Sequence, residues 1–576
     1  MKKFDAVCLG ALAICGLSVQ FAGICGAAGM EGLRASGNIF MLPELTRVRP
    51  YQLPDKPWAV LPGSLLPPEV AARLPQLGVQ LDDWDLWRLE ENYNFWRKAG
   101  PALWPGVTGV EATPIQLVFP GRYNILLGHP RPPADCLPFS DRLPKERFCY
   151  RKDTVFVPGA FMGDLNGADT VTVNTLGEMD KYGAQATATP GYRHDYLANA
   201  ATQNHELFHA FQNREKKFLP QENGYPGISR LDYPDKNPEL NMLLGLEARI
   251  LADALDAGGP ALMELMKDFM AVRAERYALL PLKARLIAGY MELVEGTAQY
   301  ISYAVQLGVN PGLVPLPETI SDPRFAGYSA GNNIAAALKP RLAMLHLHQS
   351  VRTCVFAYQS GAALALALDR LDPSWKSGLF RTCSGKSCSL DTLVGRLVEP
   401  DNTPARLARA KERYGAARLL AESEADLAGL LAENKKLIEE FRALPGPRVR
   451  LAFPGTPADD IAIVAPAKLA EYGGERLYRD GCYGVQYAKG LEQYDVEILV
   501  KAPGLLDLRS MTLELALPAG APGLAGIKAD SVRQSVGETV YEGNVSLDNG
   551  VFRWKGDKLS VAASDGGTLL SFYPEK

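Results

Sequence analysis

Two histidines four residues apart, His205 and His209, with Glu206 beside the first, form the segment of this chain best suited to do chemistry. On a helix, positions i and i+4 lie one above the other, so both imidazoles can reach a single ion. The H-E-x-x-H pattern therefore supplies two zinc ligands and a carboxylate, Glu206, able to take a proton from a zinc-activated water as general base. A catalytic zinc needs a third protein ligand. The positions three and six beyond His209 are Gln212 and Glu215, which excludes the three-histidine metzincin pattern. The remaining ligand is then a glutamate from a later helix. Glu295 is followed by the small residues Gly296 and Ala298, which would let its helix approach the metal helix; Glu247 is the alternative. Whichever is not a ligand would be a carboxylate holding an imidazole N–H or half of a helix-surface ion pair, and Glu292, one turn before Glu295, could support the site from behind.

The elements that must position these residues can be read around them. Short strand-like runs lie at Ile115–Phe119, Asn124–Leu127, Thr154–Val157 and Thr170–Asn174, and they predict one sheet over 113–180. The acidic segment Asp164–Asp169 lacks the spacing of a calcium loop and reads as an Asn-Gly turn. Helices are predicted at Asp82–Lys98, Asp195–Lys217, Pro238–Ala257, Pro260–Leu279 and Pro281–Leu307, the last three each with proline near the start. A further helix over Pro340–Leu371 is expected to break near Ser360-Gly361. A charged helical hairpin over Thr403–Leu444 has Gly429 near its middle, and turn-rich strands follow to the end.

At 576 residues the chain is too long for one core, and at ~150 residues per domain it predicts three or four. The expected class is α+β and multidomain: a β-rich N-terminal part, a mainly helical core, a helical hairpin and a C-terminal all-β domain. The corresponding ranges are 1–28, a signal peptide; 29–112, a Pro/Trp-rich segment; 113–400, with its sheet at 113–180 and helices over 195–400; 401–447, the hairpin; and 448–576. A net charge of -4 and the lack of a basic run give no reason to expect nucleic acid as a partner. Lys2-Lys3, an apolar run from Ala6 and small residues near Ala27-Ala28 read as a secretory signal, so the mature chain is expected to be exported, periplasmic or secreted. No later stretch is long and apolar enough to span a bilayer. Six cysteines follow the signal. Export makes disulfides the expectation, with Cys136–Cys149 and Cys383–Cys388 the nearest pairs in sequence and Cys354 and Cys482 left over.

His205-Glu206-Leu207-Phe208-His209, Glu295-Gly296-Thr297-Ala298 and Tyr358-Gln359-Ser360-Gly361-Ala362, in that order, resemble the gluzincin zinc metallopeptidases of the aminopeptidase-N and glycyl-aminopeptidase kind. The resemblance spans about Asp195–Leu371. It implies a zincin-like catalytic domain, one catalytic zinc held by His205, His209 and Glu295, Glu206 as base, and Tyr358 as hydroxyl donor to the tetrahedral oxyanion. It also implies a peptide or protein substrate, laid along a sheet edge for which Thr170–Asn174 is the candidate. Aminopeptidase specificity is not implied, because the G-x-M-E-N motif is missing and the interval from His209 to Glu295 is far longer. Two other functions stay open from sequence: a non-catalytic exported binding protein on the same scaffold, and a zinc hydrolase of a non-peptide amide or ester. His346 and His348, two apart, cannot share an ion on a helix, although one could donate to a transition state. His194, just ahead of the metal helix, reads as a cap or surface residue, and His129, before Pro130 in a loop, has no visible partner. Tyr300 and Tyr303 read as core, and Arg273 and Arg276 as a solvated helix face.

Overall fold

The computed structural model describes residues 65–152, 160–187, 191–215, 233–307, 313–328, 334–351, 354–382, 389–454, 461–464, 468–489, 492–517, 526–549, 551–564 and 567–573. The signal segment, the Thr154–Val157 run and the Cys383–Cys388 pair lie outside them. The protein is mixed, 52% helix and 22% strand with two sheets, and its described residues divide into two compact units, 65–427 and 428 onward.

The first unit begins with α1 (Pro68–Leu77) and α2 (Asp83–Lys98). Asp82 caps α2 in a reciprocal capping box with Asp85, satisfying amides that the first turn leaves unpaired. Six strands follow: β1 (Ile115–Val118), β2 (Tyr123–Leu127), β3 (Leu137–Pro138), β4 (Phe148–Lys152), β5 (Phe161–Leu165) and β6 (Ala168–Val173), in the spatial order β3-β4-β2-β1-β6-β5. A disulfide joins Cys136, just before β3, to Cys149 on β4, with Cα atoms 5.7 Å apart.

Asn166 (φ 50°) and Gly167 (φ 77°) turn β5 directly into β6. Two successive positive φ angles give the hairpin turn that Asn-Gly favours. This hairpin corrects the expected edge. The Thr170–Val173 segment is interior, paired parallel to β1 and antiparallel to β5, and β5 is the last described strand on that side. Phe-Met-Gly-Asp-Leu has no β-branched residue and no clear alternation, which is why the sequence does not announce it.

The helical part comprises α3 (Leu176–Thr187), α4 (Tyr196–Arg214), α5 (Pro238–Ala254), α6 (Gly259–Leu279), α7 (Leu282–Leu307), α8 (Ile334–Leu342), α9 (Phe356–Leu371), α10 (Leu390–Val398), α11 (Pro404–Arg413) and α12 (Ala416–Ala443). Ser360 and Gly361 lie inside α9, and the expected break falls instead between α8 and α9. The hairpin turn lies at Gly415 (φ 71°), because only a residue tolerant of positive φ reverses the chain so tightly; Gly429 is inside α12.

The second unit carries an eleven-stranded sheet between Arg448 and Tyr573. The expected strands at Asp495–Val500, Met511–Ala516 and Gly550–Trp554 fall within or overlap the strands Glu492–Asp507, Thr512–Ala516 and Phe552–Ser564. Leu451, Trp554, Leu559 and Phe572 fill its core. Among the described residues no helix is long and apolar enough to cross a membrane.

Candidate metal centre

Helix α4 is fixed at its start, back and end. Asp195 caps it by accepting from the Ala198 amide. On its back, Phe208 stacks on Trp96 of α2, with centroids 6.0 Å apart and planes 2° apart, and meets Trp104 edge to face at 4.9 Å. Burying a ring of this size contributes on the order of 1.5–3 kcal/mol. Trp96 and Trp104 therefore serve as core backing. Gln203 donates to the Asn174 carbonyl just beyond β6, and Asn213 donates to Asp169 on β6, so the helix is tied to the sheet at two points.

The opposite face carries the chemistry. His205 Nε2 lies 3.3 Å and His209 Nε2 3.2 Å from one oxygen, Oε2 of Glu295 on α7. Ligand atoms of the three residues all fall within 4.8 Å of one another, and they form the one such metal-compatible cluster among the described residues. Bonds of ~2.0–2.1 Å at tetrahedral angles place neighbouring ligand atoms roughly 3.3 Å apart. The donor set and spacing fit a zinc ion.

Each imidazole is held from behind. His205 Nδ1 lies 3.2 Å from the Ser302 hydroxyl, and His209 Nδ1 lies 2.7 Å from Gln212 Oε1. In the sequence Gln212 stands only where the metzincin pattern has its glycine. Its i,i+3 spacing from His209 on one helix face was the available signal.

Glu206 is partly exposed as a residue, but burial of its carboxyl raises its pKa against the opposing pull of His209 and His205, and the charge of Glu295 adds to the rise. Its carboxylate accepts from the Met162 amide of β5. Burial disfavours a charged His209, yet the Glu295 carboxylate, Glu206 and the Gln212 hydrogen bond together outweigh it and push that pKa up to about 9.

Tyr358 on α9 stacks on His205, centroids 5.9 Å apart and planes within 11°. What brings α9 so close is Gly296 against Gly361. A Cβ on Gly296 would stand 2.5 Å from the Gly361 Cα and 2.9 Å from the Ala357 carbonyl. The small residue after Glu295 thus receives α9, whereas the sequence suggested the metal helix; α4 meets α7 instead where Ser302 approaches the Ala201 carbonyl at 3.3 Å.

Glu247 and Glu292 are placed elsewhere. Glu247 on α5 is bound twice by Arg276, at 2.7 and 3.1 Å, and once by Arg273, at 2.8 Å. Glu292 is bound twice by Arg273, at 2.8 and 2.9 Å, and accepts from Ser360 at 2.6 Å. Asp391 on α10 completes the group, 3.3 Å from Arg273. Both arginines on α6 are fully buried, which corrects the solvated-face expectation: three carboxylates from three other helices surround them. His346 pairs with Glu422, His348 with Asp235, and His129 with the Leu165 carbonyl. His194 leads into α4, its amide held by Asp180. Tyr300 donates to Asp369 and Tyr303 to Gln359 within the core.

The chain matches no protein-family model, no curated protein and no solved structure.

Proposed function

We propose that the protein is an exported zinc metallopeptidase of gluzincin type, hydrolysing peptide bonds in a zincin-like domain that holds one catalytic zinc on His205, His209 and Glu295. The observation that carries the reading is the convergence of both Nε2 atoms on one Glu295 oxygen at 3.2–3.3 Å, with Glu206 on the adjacent helix position. When bound there, zinc would acidify a water and polarise the scissile carbonyl. The chain's own residues do the rest. Glu206 takes the proton of the attacking water; its raised pKa brings it nearer the working range of a general base, and it can return the proton to the leaving amine. The Tyr358 ring, held against His205 by the Gly296–Gly361 approach, carries the hydroxyl assigned to the developing oxyanion. Met162 of β5, whose amide meets Glu206, makes β5 the strand along which an extended peptide would lie, in place of Thr170–Asn174.

The mature chain is expected outside the cytoplasm, a compartment compatible with the Cys136–Cys149 disulfide. The presence of Glu206 favours an enzyme over a binding protein on the same scaffold, because binding alone has no use for a desolvated carboxylate beside the ion. The test is zinc content together with cleavage of a mixed peptide library by wild type and Glu206→Gln. The expected result is one zinc in each and cleavage by wild type alone. Full zinc with no peptide cleaved would redirect the assignment to a binding role or a non-peptide amide or ester.

A further inference from the structure

We infer that Gln212 is the positioning residue that orients His209 for metal binding, acting as the middle link of a hydrogen-bonded chain that starts on the neighbouring helix α7. This rests on the zinc reading above and extends it to a residue that no ligand motif contains.

Gln212 is 2% exposed and sits one turn beyond His209 on α4. Its Nε2 donates to the Thr297 hydroxyl oxygen at 2.8 Å and to the Val294 carbonyl at 3.1 Å. The Thr297 hydroxyl in turn gives its proton to the Leu293 carbonyl at 2.6 Å. With that proton committed, Thr297 can only accept from Gln212, and a reversed amide would set its oxygen against the Val294 oxygen and a Thr297 lone pair. The amide therefore has one workable orientation. Oε1 faces His209 Nδ1 at 2.7 Å and takes its N–H, so that in the neutral ring the lone pair falls on Nε2, the nitrogen beside Glu295.

Thr297 is two residues after Glu295. The helix that supplies the carboxylate ligand thus also supplies the hydroxyl that fixes the glutamine that fixes the imidazole of the other helix. Docking α7 on α4 sets ligand and tautomer together. His205 is held more simply: Ser302 gives its proton to the Ala201 or the Ala298 carbonyl, each at 3.3 Å, and its oxygen is left to accept from Nδ1 at 3.2 Å. Both Nδ1 partners are neutral, so they contribute direction and no charge.

The experiment is zinc affinity of the full chain near neutral pH, measured in competition with a chromophoric chelator, for wild type, Gln212→Met, Gln212→Glu and Thr297→Val, with melting of each metal-free protein in parallel. Gln212→Met should weaken zinc binding by about 10–100-fold, the usual consequence of removing a partner behind a metal-bound histidine. Gln212→Glu, which returns an acceptor to Nδ1, should recover most of that loss, and Thr297→Val should show a smaller loss. A glutamine that only packs would lower melting temperatures and leave affinity unchanged. A folded Gln212→Met that holds zinc as tightly as wild type, or a Gln212→Glu no better than it, overturns the inference. Histidine-selective 15N NMR of zinc-loaded wild type gives an independent test: His209 should carry its proton on Nδ1 and the metal on Nε2, and the reverse overturns the assignment without any variant. If wild type takes up no zinc, the zinc reading falls and this inference with it. Tight wild-type binding that is indifferent to Gln212 overturns the positioning role alone.

Discussion

Glu292 and Glu295 lie one turn apart on α7 and do opposite work. Glu292 is fully buried, clasped by two nitrogens of Arg273 and the Ser360 hydroxyl. Glu295 faces two imidazoles whose nitrogens are spaced as zinc ligands are. A carboxylate saturated by a guanidinium has no oxygen to give to an ion, whereas one opposed by imidazoles, which can release a proton to expose a lone pair, can share an ion with them. Neighbouring arginines thus separate the structural acid from the candidate ligand.

The comparison predicts that damage to the first group is read as stability and damage to the second as chemistry. Arg273→Met leaves Glu292 buried with only Ser360 and takes one partner from Glu247. It should cost about 3–5 kcal/mol in denaturant unfolding while the folded fraction binds zinc as wild type does. Wild-type stability in that variant would break the distinction. Tyr358→Phe should lower kcat on the order of 10²-fold, as loss of one oxyanion donor does, with zinc content and stability unchanged.

Gly361→Ala falls between the two groups. Its Cβ would stand 2.7 Å from the Gly296 Cα and press on the Glu292 backbone, so α9 must shift from α7. About 1–3 kcal/mol of stability should be lost, together with part of the activity, because Tyr358 rides on the displaced helix. Stability lost with kcat intact would show that Tyr358 does not depend on that contact.

A separate effect is one of pH. In the metal-free protein the His209 pKa is raised from 6.5 to about 9. The pairing with Glu295 therefore stabilises the metal-free fold fully below pH 6.5, and this contribution is lost as pH rises through about 9. Zinc must displace the same proton, so its apparent affinity should fall about tenfold per unit as pH drops below that pKa and level off above it. Calorimetry in buffers of different ionisation enthalpy would detect the proton released. An affinity independent of pH in this range would show that Glu295 does not hold a proton on His209.

Much of this contrast was legible in the sequence and some was not. The i,i+4 histidines, the start of their helix at Asp195 and the helix carrying Glu295 follow from periodicity and local chemistry, which need no tertiary structure. The choice between Glu295 and Glu247 was left open because it turns on Arg276, 29 residues from Glu247 along the chain and opposite it only after α5 and α6 pack. The Gln212–Thr297 link is hidden for the same reason: 85 residues separate two ordinary polar side chains. Gly296 announced a close approach but not its partner, since a missing Cβ has no preferred neighbour. The strand at β5 is set by the Asn166-Gly167 turn and its pairing with β6, not by its own residue types.

The central claim is that Glu295 closes a zinc site that Glu247 cannot. It is tested most directly by zinc stoichiometry, measured by elemental analysis on metal-saturated and desalted wild type, Glu295→Gln and Glu247→Gln. The account predicts one zinc per chain in wild type and in folded Glu247→Gln, and loss of bound zinc in Glu295→Gln. A wild type without zinc, or zinc retained by Glu295→Gln and lost from folded Glu247→Gln, would contradict it.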